Sequence, residues 1–100
     1  MNGCIRIDGR EYPLHFTVNH ICAMEETVGT GLAGLMQGGI LGIRALFWCG
    51  LMDEKITLEE AGGLMQRYLE TGGTVGALSA ALARAMEDAG FFHTPAAKKD

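Results

Sequence analysis

Apolar and polar residues alternate at the start of the chain, and the alternation then gives way to apolar spacings of three and four. Cys4-Ile5-Arg6-Ile7 alternates, Asp8-Gly9 is a favoured two-residue turn, and Arg10 to Phe16 resumes the alternation. The pattern predicts a β-hairpin, with Ile5 and Ile7 sharing a face and Tyr12, Leu14 and Phe16 sharing one on the returning strand. Pro13 has no amide proton to give a ladder, so it belongs at an edge or beside a bulge. Two strands alone are marginal in water. The hairpin must therefore lie on the rest of the chain.

From residue 19 onward the chain reads as helices. Asn19 is suited to cap a helix from His20 to Val28, with Gly29 as its stop. Ile21, Met24 and Val28 keep to one side, and Glu25 and Glu26, about 100° apart, belong to a solvated face. Thr30 to Gly39 predicts a short helix carrying Leu32, Leu35 and Met36, ended by the Gly38-Gly39 pair. Ile40 to Met52 is apolar around its whole circumference. Ile43, Leu46, Phe47 and Leu51 take one side, Leu41, Ala45, Trp48 and Met52 the other, and Arg44 is its only charge. Such a helix is buried all round or covered by a partner.

Thr57-Leu-Glu-Glu60 is a capping box. It starts a helix with Leu58, Ala61, Leu64, Met65 and Tyr68 as its buried stripe, closed by Gly72-Gly73. Thr74 caps a last helix bearing Val75, Leu78, Leu82, Ala85, Met86 and Ala89, and Gly90 is placed as its left-handed stop. The expected fold is α+β and mostly helical: an N-terminal β-hairpin packed on a small bundle of about four helices. One domain spans residues 1–92, and residues 93–100 form a flexible polar tail.

Composition narrows the function classes. A chain that is 48% hydrophobic and 20% charged is not a disordered one. The net charge is −4, and eight scattered basic residues make no stripe for phosphates, so no nucleic acid is expected as a partner. The stretch from Leu32 to Met52 is broken by Gln37, Arg44 and five glycines, too often for a membrane span. Arg6, Asp8, Arg10 and Glu11 make the first twenty residues unlike a secretory signal.

Candidate chemistry is sparse. Cys4, Cys22 and Cys49 lack metal-ligand spacing and read as small buried hydrophobes in a reducing cytosol. His15, His20 and His93 form no short-range ligand motif. Cys22 and His20, two apart on a helix, face different ways and make a poor nucleophile–base pair. Gly29-x-Gly31-x-x-Gly34 spells a dinucleotide motif but follows a helix, where that site needs a strand. No catalytic residue, cofactor, metal or small-molecule substrate is expected.

The order of these segments is itself informative. Tyr12-Pro-Leu-His-Phe16 leads to Asn19-His-Ile-Cys-Ala-Met-Glu-Glu-Thr-Val-Gly29, then Leu32 to Gly39 and Ile43-Arg-Ala-Leu-Phe-Trp48. Ile56-Thr-Leu-Glu-Glu-Ala-Gly62 and an alanine-rich last helix complete it. Over residues 5–92 this resembles the tail assembly chaperones of long-tailed bacteriophages and the related proteins of phage-like gene transfer agents. The likeness rests on helix starts and apolar positions, with no catalytic signature. It implies a non-enzymatic protein, made in the cytoplasm of the bacterial host from a phage or prophage. Its partners would be the hydrophobic tape measure protein, which it coats, and the tail tube protein, which it recruits. Self-association as a homo-oligomer and absence from the mature virion are implied as well. The alternatives are a structural tail or head–tail connector protein, a small enzyme using Cys22 or Cys49, and a bacterial regulator.

The residues point to Leu35, Met36, Leu41, Trp48 and Met52 as the protein-interaction surface. A domain of this size is expected to bury only one side of the Ile40–Met52 helix deeply, the Ile43-Leu46-Phe47-Leu51 side. The opposite side carries the chain's one Trp, a residue enriched at binding hot spots. The competing reading makes Trp48 part of the core, covered by Tyr12 and Phe16.

Overall fold

A computed structural model describes residues 3–91. Two strands, β1 (Cys4–Ile7) and β2 (Arg10–Pro13), precede α1 (Val18–Val28), the single-turn α2 (Leu32–Leu35) and α3 (Gly39–Gly50). A 3₁₀ turn over Met52–Glu54 then leads to α4 (Leu58–Glu70) and α5 (Val75–Asp88). The fold is α+β and mostly helical, with four long helices and one short one behind an antiparallel hairpin. Phe92 and the polar tail expected over residues 93–100 lie outside the described residues.

The hairpin pairs Ile5 with Tyr12 and Ile7 with Arg10. Asp8 and Gly9 both take positive φ, 54° and 86°, the left-handed pair whose twist matches that of the strands. β2 is shorter than expected. After Pro13 the Leu14 amide still donates to the Gly3 carbonyl, but the His15 amide donates to the Gly50 carbonyl at the end of α3. The chain has left the ladder to cross that helix. Leu14 and Phe16 stay buried, and Gly50 makes room, since a Cβ there would sit 2.9 Å from Phe16 Cζ.

α1 starts two residues before the expected point. Thr17, not Asn19, is the N-cap: its backbone is extended and its hydroxyl accepts from the His20 amide at 3.0 Å. Asn19 falls inside the first turn and is exposed. Gly29 ends the helix at φ 76°, as expected. Glu26 is exposed, but Glu25 departs from the solvated role expected for it. Half-buried, its Oε2 accepts from the Leu32 amide at 2.7 Å and so caps the start of α2.

α3 is the centre of the molecule, packing against α1, α2, α4 and α5. It spans Gly39–Gly50, so Met52 belongs to the 3₁₀ turn and not to the helix. Leu46, Phe47 and Leu51 are buried as expected, and Ile43 is half-buried. The expectation that only one side would be deeply buried fails, because Ala45 and Cys49 are 2% and 0% exposed. Small residues explain this. A Cβ at Gly42 would lie 1.9 Å from the Leu35 carbonyl oxygen, so α2 crosses α3 nearly in contact with its backbone. With glycine, alanine or cysteine at 42, 45, 49 and 50, neighbours cover the circumference without needing much volume.

The capping box at Thr57 and Glu60 is formed in both directions, and Thr74 caps α5 through the Ala77 amide. α5 ends with the Gly90 amide on the Glu87 carbonyl and the Phe91 amide on the Met86 carbonyl. This is a Schellman closure around Gly90 at φ 95°. Phe91 folds back against the core. Arg67 on α4 donates through two nitrogens to Asp8 Oδ2, tying the hairpin tip to the bundle. No helix among the described residues is long and apolar enough to cross a membrane.

Candidate functional site

Val18 and Val75 are exposed singly at the starts of α1 and α5, but at the first turn of α3 two successive large apolar side chains outrun their cover. Gly38 and Gly39 carry the chain from α2 into α3, and Gly39 needs a positive φ of 67° to do so. Ile40 and Leu41 emerge from that turn 53% and 66% exposed. Met36, at the end of α2, and Leu69, on the last turns of α4, are also exposed. Leu41 and Arg44 stand between two shallow grooves. One, of about 300 Å³, is lined by Val28, Leu35, Ala45 and Leu58; the other, of about 200 Å³, by Ile40, Met65 and Leu69.

Arg44 gives this corner its electrostatic character. Its stem lies over Gly62, where a Cβ would come within 3.1 Å of its Cδ. Its Nε is buried with no hydrogen-bond partner, and no carboxylate pairs with its guanidinium among the described residues. A buried Nε donor without an acceptor is an uncommon arrangement, since buried donors are nearly always satisfied.

Of the five interaction candidates, the structure brings Leu35 and Leu41 together. Leu35 is buried and lines a groove shared with Leu41, whereas Met36 lines a different groove with Leu35 and the α5 residues Leu82 and Met86. Trp48 lies two turns further along α3, half-buried against the core, and its indole N–H donates to the Ile56 carbonyl at 2.8 Å. Met52 is half-buried in the 3₁₀ turn beyond. Sequence reasoning missed Ile40, Leu69 and the unpaired state of Arg44. Leu69 sits one residue past the Tyr68 end of the α4 stripe, about 100° round the helix, so its exposure was open to inference.

No protein-family model, curated protein or solved structure matches this chain. Its own geometry carries the reading.

The cysteines differ from expectation. Only Cys49 is buried; Cys4 and Cys22 are exposed. Cys4 is on the outward side of β1, opposite Ile5 and Ile7, and Cys22 is one step round α1 from the buried Ile21. Burial pushes the Cys49 thiol up to about 12, so at neutral pH it is the thiol and not the nucleophilic thiolate. His20 makes no pair with Cys22. Its Nδ1 is 3.0 Å from the His15 carbonyl oxygen and its Nε2 is 3.4 Å from Asp53 Oδ1.

Those contacts belong to a cluster with no counterpart in the sequence motifs. His15 Nδ1 is 2.8 Å from Asp53 Oδ2, and the two imidazoles meet edge to face with centroids 5.5 Å apart. The hydrogen bond from His15, helped by the charge of His20, holds the Asp53 carboxyl below the usual carboxylate range. The three residues come from the segment after the hairpin, the first turn of α1 and the 3₁₀ turn.

Proposed function

We propose that this chain is a non-enzymatic phage tail assembly chaperone whose client docks on the corner formed by Ile40, Leu41 and Leu69. The observation that carries the reading is the pairing of exposed apolar side chains with the unpartnered Arg44 between two grooves. Covering a largely exposed Leu or Ile contributes on the order of 1–2 kcal/mol, so the three side chains supply a useful but reversible affinity. Arg44 offers planar, directional donors, which suit a carboxylate or a helix-end carbonyl on the client.

The client that fits is an amphipathic helix laid into the grooves, with apolar residues three and four apart and an acidic residue facing Arg44. Long, helical and hydrophobic segments of that kind are what the sequence resemblance assigns to the tape measure protein. Many copies bound along such a client would shield it until tail tube subunits replace them. That role places the protein in the cytoplasm of the bacterial host and leaves it out of the mature virion.

Two observations favour this reading over its rivals. The neutral, enclosed thiol of Cys49 weighs against a cysteine enzyme built on that residue. The strands of the hairpin are four residues long and one holds Pro13, which leaves little edge for the strand pairing of a connector protein. The direct test is co-expression with a tape measure protein as the long helical client, followed by gel filtration. A shared peak and a client kept out of the pellet support the chaperone reading. A client that behaves identically with and without this chain refutes it.

A further inference from the structure

We propose that His15, His20 and Asp53 form a binding site for one zinc-type divalent metal ion, at the opposite end of α3 from the apolar corner. One ligand atom from each residue lies within 4.8 Å of the others. Around a tetrahedral zinc ion with bonds of about 2.0–2.1 Å, neighbouring ligands stand about 3.3 Å apart, so small side-chain rotations suffice. Two imidazole nitrogens and a carboxylate oxygen suit zinc, and a set of three leaves a fourth position for water.

The arrangement around His20 is that of a metal ligand. Its Nδ1 lies 3.0 Å from the His15 carbonyl oxygen, which can only accept, so Nδ1 carries the proton. In the neutral ring the lone pair is then on Nε2, and Nε2 faces Asp53 Oδ1, another acceptor, at 3.4 Å. A lone pair and a carboxylate oxygen turned toward each other are joined by a positive charge, either a proton on Nε2 or a metal ion that also engages His15. A backbone carbonyl behind Nδ1 is also the outer-shell partner that metal-bound histidines ordinarily have, fixing tautomer and ring orientation.

The scaffold holds the three groups before any ion arrives. The His15 amide is bound to the Gly50 carbonyl, and the turn bearing His20 is fixed by the Thr17 cap. Asp53 is carried by the 3₁₀ turn that immediately follows α3. An ion here would clamp the hairpin exit, α1 and the end of α3 to one another.

The experiment uses the untagged full-length chain with Zn²⁺, and Co²⁺ as a coloured substitute. Calorimetry should give one Zn²⁺ per chain, and Co²⁺ should develop the visible absorption of a low-coordinate site that Zn²⁺ then bleaches. Saturating Zn²⁺ should raise the melting midpoint by about 5–10 °C. His20→Asn and Asp53→Asn, each checked for folding by circular dichroism, should each weaken binding by more than about tenfold. Cys22→Ser, which removes the exposed thiol nearest the cluster in sequence, should leave binding unchanged. Amide spectra of the unmodified protein give a readout independent of the variants: Zn²⁺ should shift resonances around residues 15, 20 and 53. Absence of binding, binding lost only in Cys22→Ser, or shifts elsewhere on the chain would each overturn the assignment.

Discussion

Gly42 and Gly63 are both helical glycines, yet they face opposite surroundings. At Gly42 a Cβ would meet the Leu35 carbonyl at 1.9 Å, a backbone atom that cannot swing aside. At Gly63 a Cβ would meet nothing within 4 Å beyond its own stretch of helix, and the residue is exposed. Gly42→Ala should therefore cost about 1–3 kcal/mol or more by forcing α2 from α3. Gly63→Ala should stabilise by about 0.5–1 kcal/mol, since alanine loses less backbone freedom in a helix. Urea titrations of both variants check the pair, and equal effects would mean that α2 does not cross there. Cys49 makes a second residue-scale prediction. The folded thiol stays protonated up to about 12, whereas an unfolded thiol ionises near 9.0. The unfolded state then binds fewer protons, so this residue's stabilising contribution is complete below pH 9 and falls as pH rises from 9 toward 12. The fall is about 1.4 kcal/mol per pH unit in that window. Cys49→Ala should lack this slope when the two proteins are melted side by side, and parallel curves would contradict the enclosed thiol. Neither effect is legible in the sequence. A glycine or a cysteine looks the same there whatever the fold places opposite it.

Helix boundaries record local chemistry, and there the sequence is most informative. The Thr57–Glu60 box, the Thr74 cap and the closures at Gly72 and Gly90 each depend on residues within a few positions of one another. All are readable from the side chains present. Thr57→Ala should accordingly cost about 1 kcal/mol, read as a lower urea midpoint with an unchanged slope. A loss below a few tenths would show that tertiary packing alone holds the start of α4. The sequence alone misplaces the start of α1 because Thr17 and Asn19 are both good caps by composition. Only the extended backbone left by the chain's crossing of α3 selects Thr17. It underestimates the burial of α3 for a related reason. The apolar circumference is visible in the residues, but the closeness of approach allowed by Gly42, Ala45 and Gly50 emerges only when the neighbouring elements are in place.

At the scale of the whole molecule, contacts between distant parts of the chain decide the candidate sites. Asp53 meets His15 across 38 positions and Asp8 meets Arg67 across 59, separations at which no motif spacing can signal a contact. The apolar corner is only partly legible: type and phase pick out Leu41, while Trp48 attracts attention through its chemistry alone. Its indole is satisfied by the Ile56 carbonyl, and it lies apart from Ile40 and Leu69. The central claim is that this corner, with Arg44 at its middle, is where the client binds. Ile40 and Leu41 are exposed enough to be changed without opening the core, which makes an Ile40→Glu/Leu41→Glu double variant the sharpest probe. Its affinity for the tape measure protein should be measured by calorimetry beside that of the unmodified chain, with folding verified by circular dichroism. The account predicts an unchanged fold and melting midpoint with at least about a tenfold loss of affinity, the equivalent of one uncovered apolar anchor. A folded double variant that binds the client as tightly as the unmodified chain would contradict it.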